Sequence, residues 1–550
     1  MPTEFLISPV RATTHRGDDD LLSAELGLAG LRGAPSAFAD SVAPTPPELR
    51  RRAIQTAWKG IAHLDQLGND IAMVPGREYQ AFAKLPNAHS PHRVLVQVPD
   101  GFDAKARCLI VTASSGSRGI YGAIALAGAW GLPRGCAVAY TDKGAGSGYF
   151  DCASATGVAL DGTRAAAGSV TLEFIPDAYT ADSGIAIKHA HSGDNPESDW
   201  GRHLLQAAAF GLAMLDRALP QLAPFTPQNT CIIAVGLSNG GAAVLQAAGL
   251  DDDAWLDAAV AIAPNVNVPG HGRALYDYAT QAALLLPCAL ANARFDTAPF
   301  ARTTPTWAAR GANLHATGIL HSTSASAQTA EALERVHAGG WTDAALAGAA
   351  SVTAFDLWRA FAATYASAYT RSPIGRTPGG FRFTAHDAQG RPCAAPRAER
   401  SAWWADAGGI PPGAGVFLDE IGIDETETTD PIDPALRGLL VFRDLWTSGT
   451  VDAARLCESV AATQVRLPRA DLPIWLVHGL ADGLIPAAFS SEAYVAWLRA
   501  NGRAPSYSPV LHAQHFDAFL ALPGFGERYV PLLPYGYAAL DQAWQHIASR

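Results

Sequence analysis

Three side chains that lie far apart in the chain could together carry out nucleophilic chemistry: a serine between glycines, an aspartate and a histidine. The serine sits in Gly236-Leu237-Ser238-Asn239-Gly240-Gly241, a GxSxG pattern. Alone the pattern is weak, because Gly and Ser are common here; its setting gives it weight. Residues 231–235 (Cys-Ile-Ile-Ala-Val) read as a buried strand and residues 242–248 (Ala-Ala-Val-Leu-Gln-Ala-Ala) as a helix. A serine on such a turn must adopt a strained backbone, so small neighbours are sterically required. The turn also sets the hydroxyl at the positive end of the following helix, where developing negative charge is favoured. The plain alternative is a glycine-rich turn carrying a solvated serine.

A hydroxyl is a poor nucleophile at neutral pH and needs a base, itself oriented by an acid. Residues 472–479 read as a strand, and Asp482 follows in the loop beyond its carboxyl end, where open α/β sheets meet their ligands. A second strand near 507–511 leads to His515, and a helix over 487–502 separates the two. Asp482 could be a turn-forming Asp-Gly and His515 a loop histidine. Serine, acid and base in that order on the expected elements make Ser238, Asp482 and His515 a catalytic triad. His515 is preferred to His512, which lies nearer the pleat and reads as structural. An oxyanion needs two backbone N–H donors. Asn239 should supply one, and Ser115 or Gly116 the other, from the small-residue loop 114–119 after strand 108–113; the alternative there is a tight turn.

The elements that must position these groups follow from the apolar pattern. Runs at 93–98, 108–113, 136–140, 230–235 and 258–263 read as strands alternating with helices, the signature of a mostly parallel sheet. The helix over 199–219 places Leu204, Ala208, Leu212 and Leu215 on one buried stripe. A helical stretch covers 48–67, and the chain ends in a helix over 536–548. The expected fold class is α/β, an α/β-hydrolase fold whose parallel central sheet is flanked by helices. Between Ser238 and Asp482 lies far more chain than the sheet needs. The expected organisation is therefore an N-terminal elaboration of the core (1–90), the first part of the core (91–269), an inserted lid domain (270–465) and the C-terminal part of the core (466–550). The insert holds Ala-rich helical segments (327–337, 342–366) and a turn-rich stretch with Trp403, Trp404, Pro411, Pro412 and Phe417.

Composition closes off several classes. With 49% hydrophobic and 17% charged residues over 550 positions, the chain can bury a large core. A net charge of −11 argues against a nucleic-acid partner. No apolar stretch approaches a membrane span. Seven scattered cysteines without a CxxC argue against a disulfide scaffold or structural zinc. His189-Ala-His191 lacks further ligands at metal spacing and reads as a polar loop. Residues 141–148 are glycine-rich but lack the phosphate-loop ending. The expected chemistry needs no metal or organic cofactor. The opening Met-Pro-Thr-Glu-Phe-Leu-Ile has no basic segment or long apolar segment of a secretory leader, which by itself points to the cytoplasm.

Several longer strings resemble the D-(−)-3-hydroxybutyrate oligomer hydrolases (hydroxybutyrate-dimer hydrolases). They are Ser114-Ser-Gly-Ser-Arg-Gly-Ile-Tyr-Gly-Ala, the run 130–144, Lys188-His-Ala-His-Ser192, Asn195-Pro-Glu, Ser238-Asn-Gly-Gly241 and Ala513-Gln-His-Phe-Asp517. Asp18-Asp-Asp-Leu-Leu22 and Leu26-Gly-Leu-Ala-Gly-Leu31 extend the likeness to nearly the whole chain. The resemblance implies an esterase with Ser238 as nucleophile that cuts soluble 3-hydroxybutyrate oligomers to monomer, downstream of polyhydroxybutyrate depolymerases. It also implies relatives that are often exported, so a secreted or periplasmic protein after leader removal is the competing expectation for location. Such an oligomer ends in a carboxylate, and Arg118, beside the oxyanion loop, is the cation expected to meet it. The rival readings are a broader carboxylesterase of the tannase or feruloyl-esterase kind and a non-catalytic binding protein on the same fold. Leu237 and Gln514 stand where the first rival is expected to carry cysteines. Stereospecificity, chain-length preference and oligomeric state stay open at this level.

Overall fold

The computed structural model describes residues 3–549 except 69, 302–304, 407–415, 421–432 and 434, so Pro411 and Pro412 lie outside the described residues. Its centre is a nine-stranded sheet. In chain order the strands are β1 (Arg11–His15), β2 (Gly76–Ala83), β3 (His92–Pro99), β4 (Cys108–Ala113), β5 (Ala137–Asp142), β6 (Cys231–Leu237), β7 (Ala258–Ile262), β8 (Ile474–Gly479) and β9 (Ser506–Val510). Their spatial order is β1-β2-β3-β5-β4-β6-β7-β8-β9. From β5 to β9 every pairing is parallel, while β1, β2 and β3 add an antiparallel edge. This is the α/β-hydrolase arrangement. β1 and β2 go beyond the sequence reading, which found only a helix in the first ninety residues. That helix is α1 (Pro46–Ile61), closed at its start by a Thr45–Glu48 capping box.

The central strands are buried on both faces, which is why they read as continuous apolar runs. Leu95, Ile110, Ile233 and Val260 face one side, where they join α1 and the C-terminal helix Leu533–Ala548. Val94, Val96, Leu109 and Val111 face the other, against α2 (Pro196–Ala218). The stripe read from α2, Leu204, Ala208, Leu212 and Leu215, is fully buried there. Each leucine so placed contributes roughly 1.5–3 kcal/mol of burial free energy.

After β7 the chain leaves the sheet and returns before β8. Asn267 and Gln464 pair through a single parallel bridge, and Val465 N–H donates to the Asn267 carbonyl, so the two stems of the excursion meet. The excursion carries helices including α4 (Leu275–Ala289), α5 (Asp343–Ala354) and α6 (Leu357–Thr370), where α3 denotes Asn239–Ala248. The stretch 342–366, read as helical throughout, is broken: Phe355 ends α5 and Asp356 takes a left-handed φ of +56° before α6. These helices share a core of their own, which also takes in Tyr149, Ile185 and Ile187 from a small four-stranded sheet between β5 and α2. Trp403 and Trp404 are both buried.

Candidate active site

β6 and α3 meet at Ser238, whose backbone has φ +61° and ψ −129°. A non-glycine residue in that region stores about 1–3 kcal/mol of strain, which persists only where the surroundings enforce it. Two glycines make the bend feasible. A Cβ on Gly236 would lie 2.2 Å from the Gly240 carbonyl oxygen, and one on Gly240 would lie 2.3 Å from that of Ala113. The strand above and the helix below the serine therefore touch backbone to backbone. Asn239 is the first residue of α3, where an N–H has no intrahelical acceptor.

The structure brings the three widely spaced residues together. Ser238 Oγ lies 2.9 Å from His515 Nε2, and His515 Nδ1 lies 2.6 Å from Asp482 Oδ2. All three are buried, at 5%, 3% and 0% exposure. Asp482 follows β8 and His515 follows β9, so both reach the serine from the carboxyl ends of neighbouring parallel strands. Asp482 Oδ1 accepts the Leu484 and Ile485 N–H groups at 2.9 and 2.8 Å, which turns Oδ2 toward the imidazole. Burial alone would raise this carboxyl's pKa; the charge that His515 bears once protonated, and hydrogen bonds from His478 and His515, outweigh it and hold the pKa well below the usual carboxylate range. A carboxylate only accepts, so Nδ1 of His515 carries the proton and Nε2 is free to take one from Ser238.

The sequence reading missed His478, at the end of β8. Its Nε2 donates to the Ile485 carbonyl at 2.8 Å and lies 3.3 Å from Asp482 Oδ2, bracing the acid from behind. A histidine at a strand's carboxyl end, four positions before the acid, was the available signal. His512 takes a left-handed φ of +59° in the turn after β9 and is exposed.

Ser115 and Gly116 lie where the loop after β4 approaches α3; a Cβ on Gly116 would sit 3.0 Å from Asn239 Nδ2. Arg118, on the same loop, lines the cavity and donates from Nη2 to the Gly60 carbonyl at 3.1 Å. Burial lowers its pKa to about 10, so it stays charged at neutral pH, and no carboxylate bridges it among the described residues. The cavity in front of Ser238 measures about 260 Å³. Leu275, Phe355, Leu357 and Phe361 of the excursion wall one side, and Leu484, Ile485, Phe516 and Phe519 the other.

Behind Asn239 lies a second buried constellation that corrects the polar-loop reading of residues 189–191. His189 and His191 sit on a short buried helix, Lys188–His191. Glu197 Oε1 bonds Lys143 Nζ and accepts His189 Nε2 at 2.8 Å. Lys143 Nζ also stands 4.2 Å from the Trp200 ring centre. Burial lowers the Lys143 pKa to about 8 against the pull of Glu197. Burial likewise takes His189 down to about 4, so its ring is neutral at neutral pH. Glu197 is held at about 2, because the charge of Lys143 and the His189 bond outweigh its desolvation. The glycine-rich run 141–148 and Asn195-Pro-Glu197 were the traces of this network in the sequence. Among the described residues no group of His, Cys, Asp or Glu is arranged to hold a metal, and no helix is long and apolar enough to cross a membrane.

The sequence matches the profile of the 3HB-oligomer hydrolase family over residues 1–550. It is 36% identical to a D-(−)-3-hydroxybutyrate oligomer hydrolase of Burkholderia vietnamiensis over 611 aligned positions, spanning 99% of this chain and 87% of the relative. A protein of the same name from Burkholderia ambifaria is 36% identical, with the same coverage. Among solved structures, the cell wall degrading esterase LipA of Xanthomonas oryzae is similar with a TM-score of 0.40 and 11% identity, covering 86% of this chain and 92% of that one.

Proposed function

The chain belongs to the 3HB-oligomer hydrolase family and is a carboxylic ester hydrolase, and from that premise we propose that it works as a serine esterase on soluble D-3-hydroxybutyrate oligomers. The observation that carries this reading is the unbroken hydrogen-bond chain Ser238–His515–Asp482 opening onto an apolar cavity. As Ser238 Oγ attacks the ester carbonyl, His515 Nε2 takes its proton while Asp482 holds the ring and offsets its new charge. The Asn239 N–H and an N–H of Ser115 or Gly116 stabilise the tetrahedral oxyanion. His515 then protonates the departing oxygen and leaves an acyl-enzyme on Ser238. A water that gives its proton to His515 attacks this ester, releases the hydroxy acid and restores the serine.

The terminal carboxylate of the oligomer meets Arg118. Residues 270–465 act as a lid whose apolar wall receives the methyl-bearing units and keeps bulk water from the acyl-enzyme. The products place the enzyme after depolymerisation of polyhydroxybutyrate. Product analysis on defined dimers and trimers tests the reading, with Ser238→Ala expected to lose at least about 10⁴-fold in rate and all fluorophosphonate labelling. Arg118→Ala should raise KM for the dimer and spare its methyl ester. Monomer release that persists in Ser238→Ala, or a wild-type enzyme inert toward the dimer, would overturn the proposal.

A further inference from the structure

Two hydroxyl donors line the cavity without a task in the mechanism above, Ser117 on the 114–119 loop and Tyr365 on the excursion. Tyr365, on α6, is the polar member of the wall that the excursion contributes; Leu275, Phe355, Leu357 and Phe361 are the others. Its ring is clamped edge-on to His189, with centres 5.0 Å apart, and lies 5.5 Å from Tyr369. The position of its hydroxyl is therefore fixed by packing.

The direction of its proton follows from the amide beside it. Asn239 Oδ1 accepts from Asn265 Nδ2 at 3.2 Å, and Asn239 Nδ2 faces the Glu197 carboxylate at 3.4 Å and Tyr365 Oη at 2.7 Å. Reversing the amide would set an oxygen against a carboxylate and leave Asn265 without its acceptor, so Nδ2 is the donor to Tyr365. Tyr365 Oη accepts in that bond, which is its one hydrogen bond among the described residues. Its own proton has no acceptor among the described residues and is available to a ligand in the cavity that Tyr365 lines. Burial and the nearby Glu197 keep the phenol protonated, with its pKa pushed well above the ordinary value.

A 3-hydroxybutyryl ester brings four kinds of oxygen to this site. The carbonyl oxygen goes to the Asn239 N–H and the 114–119 loop, the departing oxygen to His515, and the terminal carboxylate to Arg118. The 3-oxygen, a hydroxyl on the terminal unit and an ester oxygen within the chain, has no donor among these. In a wall otherwise made of leucines and phenylalanines, it would be desolvated without a partner.

We infer that Tyr365 is a substrate-selecting residue, its hydroxyl donating to the 3-oxygen of the acyl unit that Ser238 attacks. The inference rests on the esterase reading and adds the chemical feature by which the enzyme prefers 3-oxyacyl esters to plain acyl esters. A site built around one hydrogen bond to substrate discriminates against the analogue that lacks it far better than an apolar pocket does.

The test compares kcat/KM on the p-nitrophenyl esters of 3-hydroxybutyrate and butyrate for wild type and Tyr365→Phe. The wild type should favour the 3-hydroxy ester, and the substitution should collapse that ratio by about tenfold or more. A ratio unchanged while both rates fall would make Tyr365 a general aid to the transition state and overturn the inference. A wild type without preference would overturn it too. Failure of the wild type on every ester would instead sink the esterase reading. The thermal midpoint checks folding, and Tyr365→Leu carries the same ratio test if the phenylalanine variant is unstable.

Discussion

Among the buried carboxylate–histidine pairs of the described residues, two lie close to Asn239, and one of the two is the pair proposed to activate Ser238. In Asp482–His515 the second ring nitrogen points at a strained hydroxyl beside a cavity. In Glu197–His189 the second nitrogen, Nδ1, has no hydrogen-bond partner among the described residues, and the carboxylate is closed off by Lys143. Residue types and burial are nearly the same. What differs is the third partner: a neutral group that can give up a proton in one pair, and a fixed cation that neutralises the acid in the other. The cation makes the second pair a brace. It fixes the Asn239 amide and, through it, the hydroxyl of Tyr365.

The largest effect separates the two acids. Asp482→Asn keeps the acceptor for the Leu484 and Ile485 N–H groups but offers an N–H to His515 Nδ1, favouring the wrong tautomer. Its kcat should fall by roughly 10³–10⁴ with the thermal midpoint little changed. Glu197→Gln should do the reverse. It leaves Lys143 buried without its counter-charge, at a cost of about 3–5 kcal/mol, with kcat reduced less than about tenfold. Thermal melts beside initial rates read both. If Glu197→Gln proved as inactive as Asp482→Asn while remaining stable, the brace would have to be counted as part of the catalyst.

Acid should loosen the brace side first. Burial lowers His189 and His191 to about 4 and His203 to about 3, all below the ordinary 6.5. From pH 6.5 down to those values the unfolded chain binds protons that the folded chain refuses, so stability falls as pH falls through this window. Each group can contribute on the order of a few kcal/mol. Glu197, held at about 2, gives stability that is complete above the ordinary carboxylate range and is lost only toward pH 2. The thermal midpoint should therefore drop between pH 6.5 and 4.5, against the opposing pull of Asp142 and Asp517, whose carboxyls burial raises to about 7 and about 6. A flat midpoint across that interval would count against three neutral buried imidazoles.

How much of this could be read from residues alone depended on whether the constraint was local. Ser238 was legible because a strained elbow needs glycines within two positions. Asp482 and His515 were legible because strand ends and chain order limit where an acid and a base can stand. Strands β3 to β8 announced themselves as apolar runs. β1 did not: its Arg-Ala-Thr-Thr-His is an edge strand with alternating exposure and no apolar run. Lys143 and His189 looked like loop residues and Glu197 like an acid in the first turn of a helix, since charged side chains become a core feature only when distant segments converge on them. Tyr365 gave no signal, because its neighbours on α6 are ordinary helix formers and its partner lies 126 positions away.

The smallest expected effect probes the opening that distinguishes the catalytic pair from its closed counterpart. Phe355 stands at the break between α5 and α6, 43% exposed, on the cavity wall. Its ring centre lies 5.1 Å from that of Phe300 and 6.4 Å from that of Phe519, so it joins the excursion to the segment after His515 across the mouth of the cavity. Among the described residues no hydrogen bond or ring contact joins it to the triad, so Phe355→Ala should remove wall without moving the serine. The widened mouth should admit further hydroxybutyrate units, shifting kcat/KM toward trimer and tetramer over dimer by a few fold, on the scale of one or two apolar contacts. Parallel time courses on purified oligomers would read the shift. Equal loss on every length would mean that Phe355 shapes the serine's surroundings, and that the boundary between the open pair and the closed one lies deeper in the cavity.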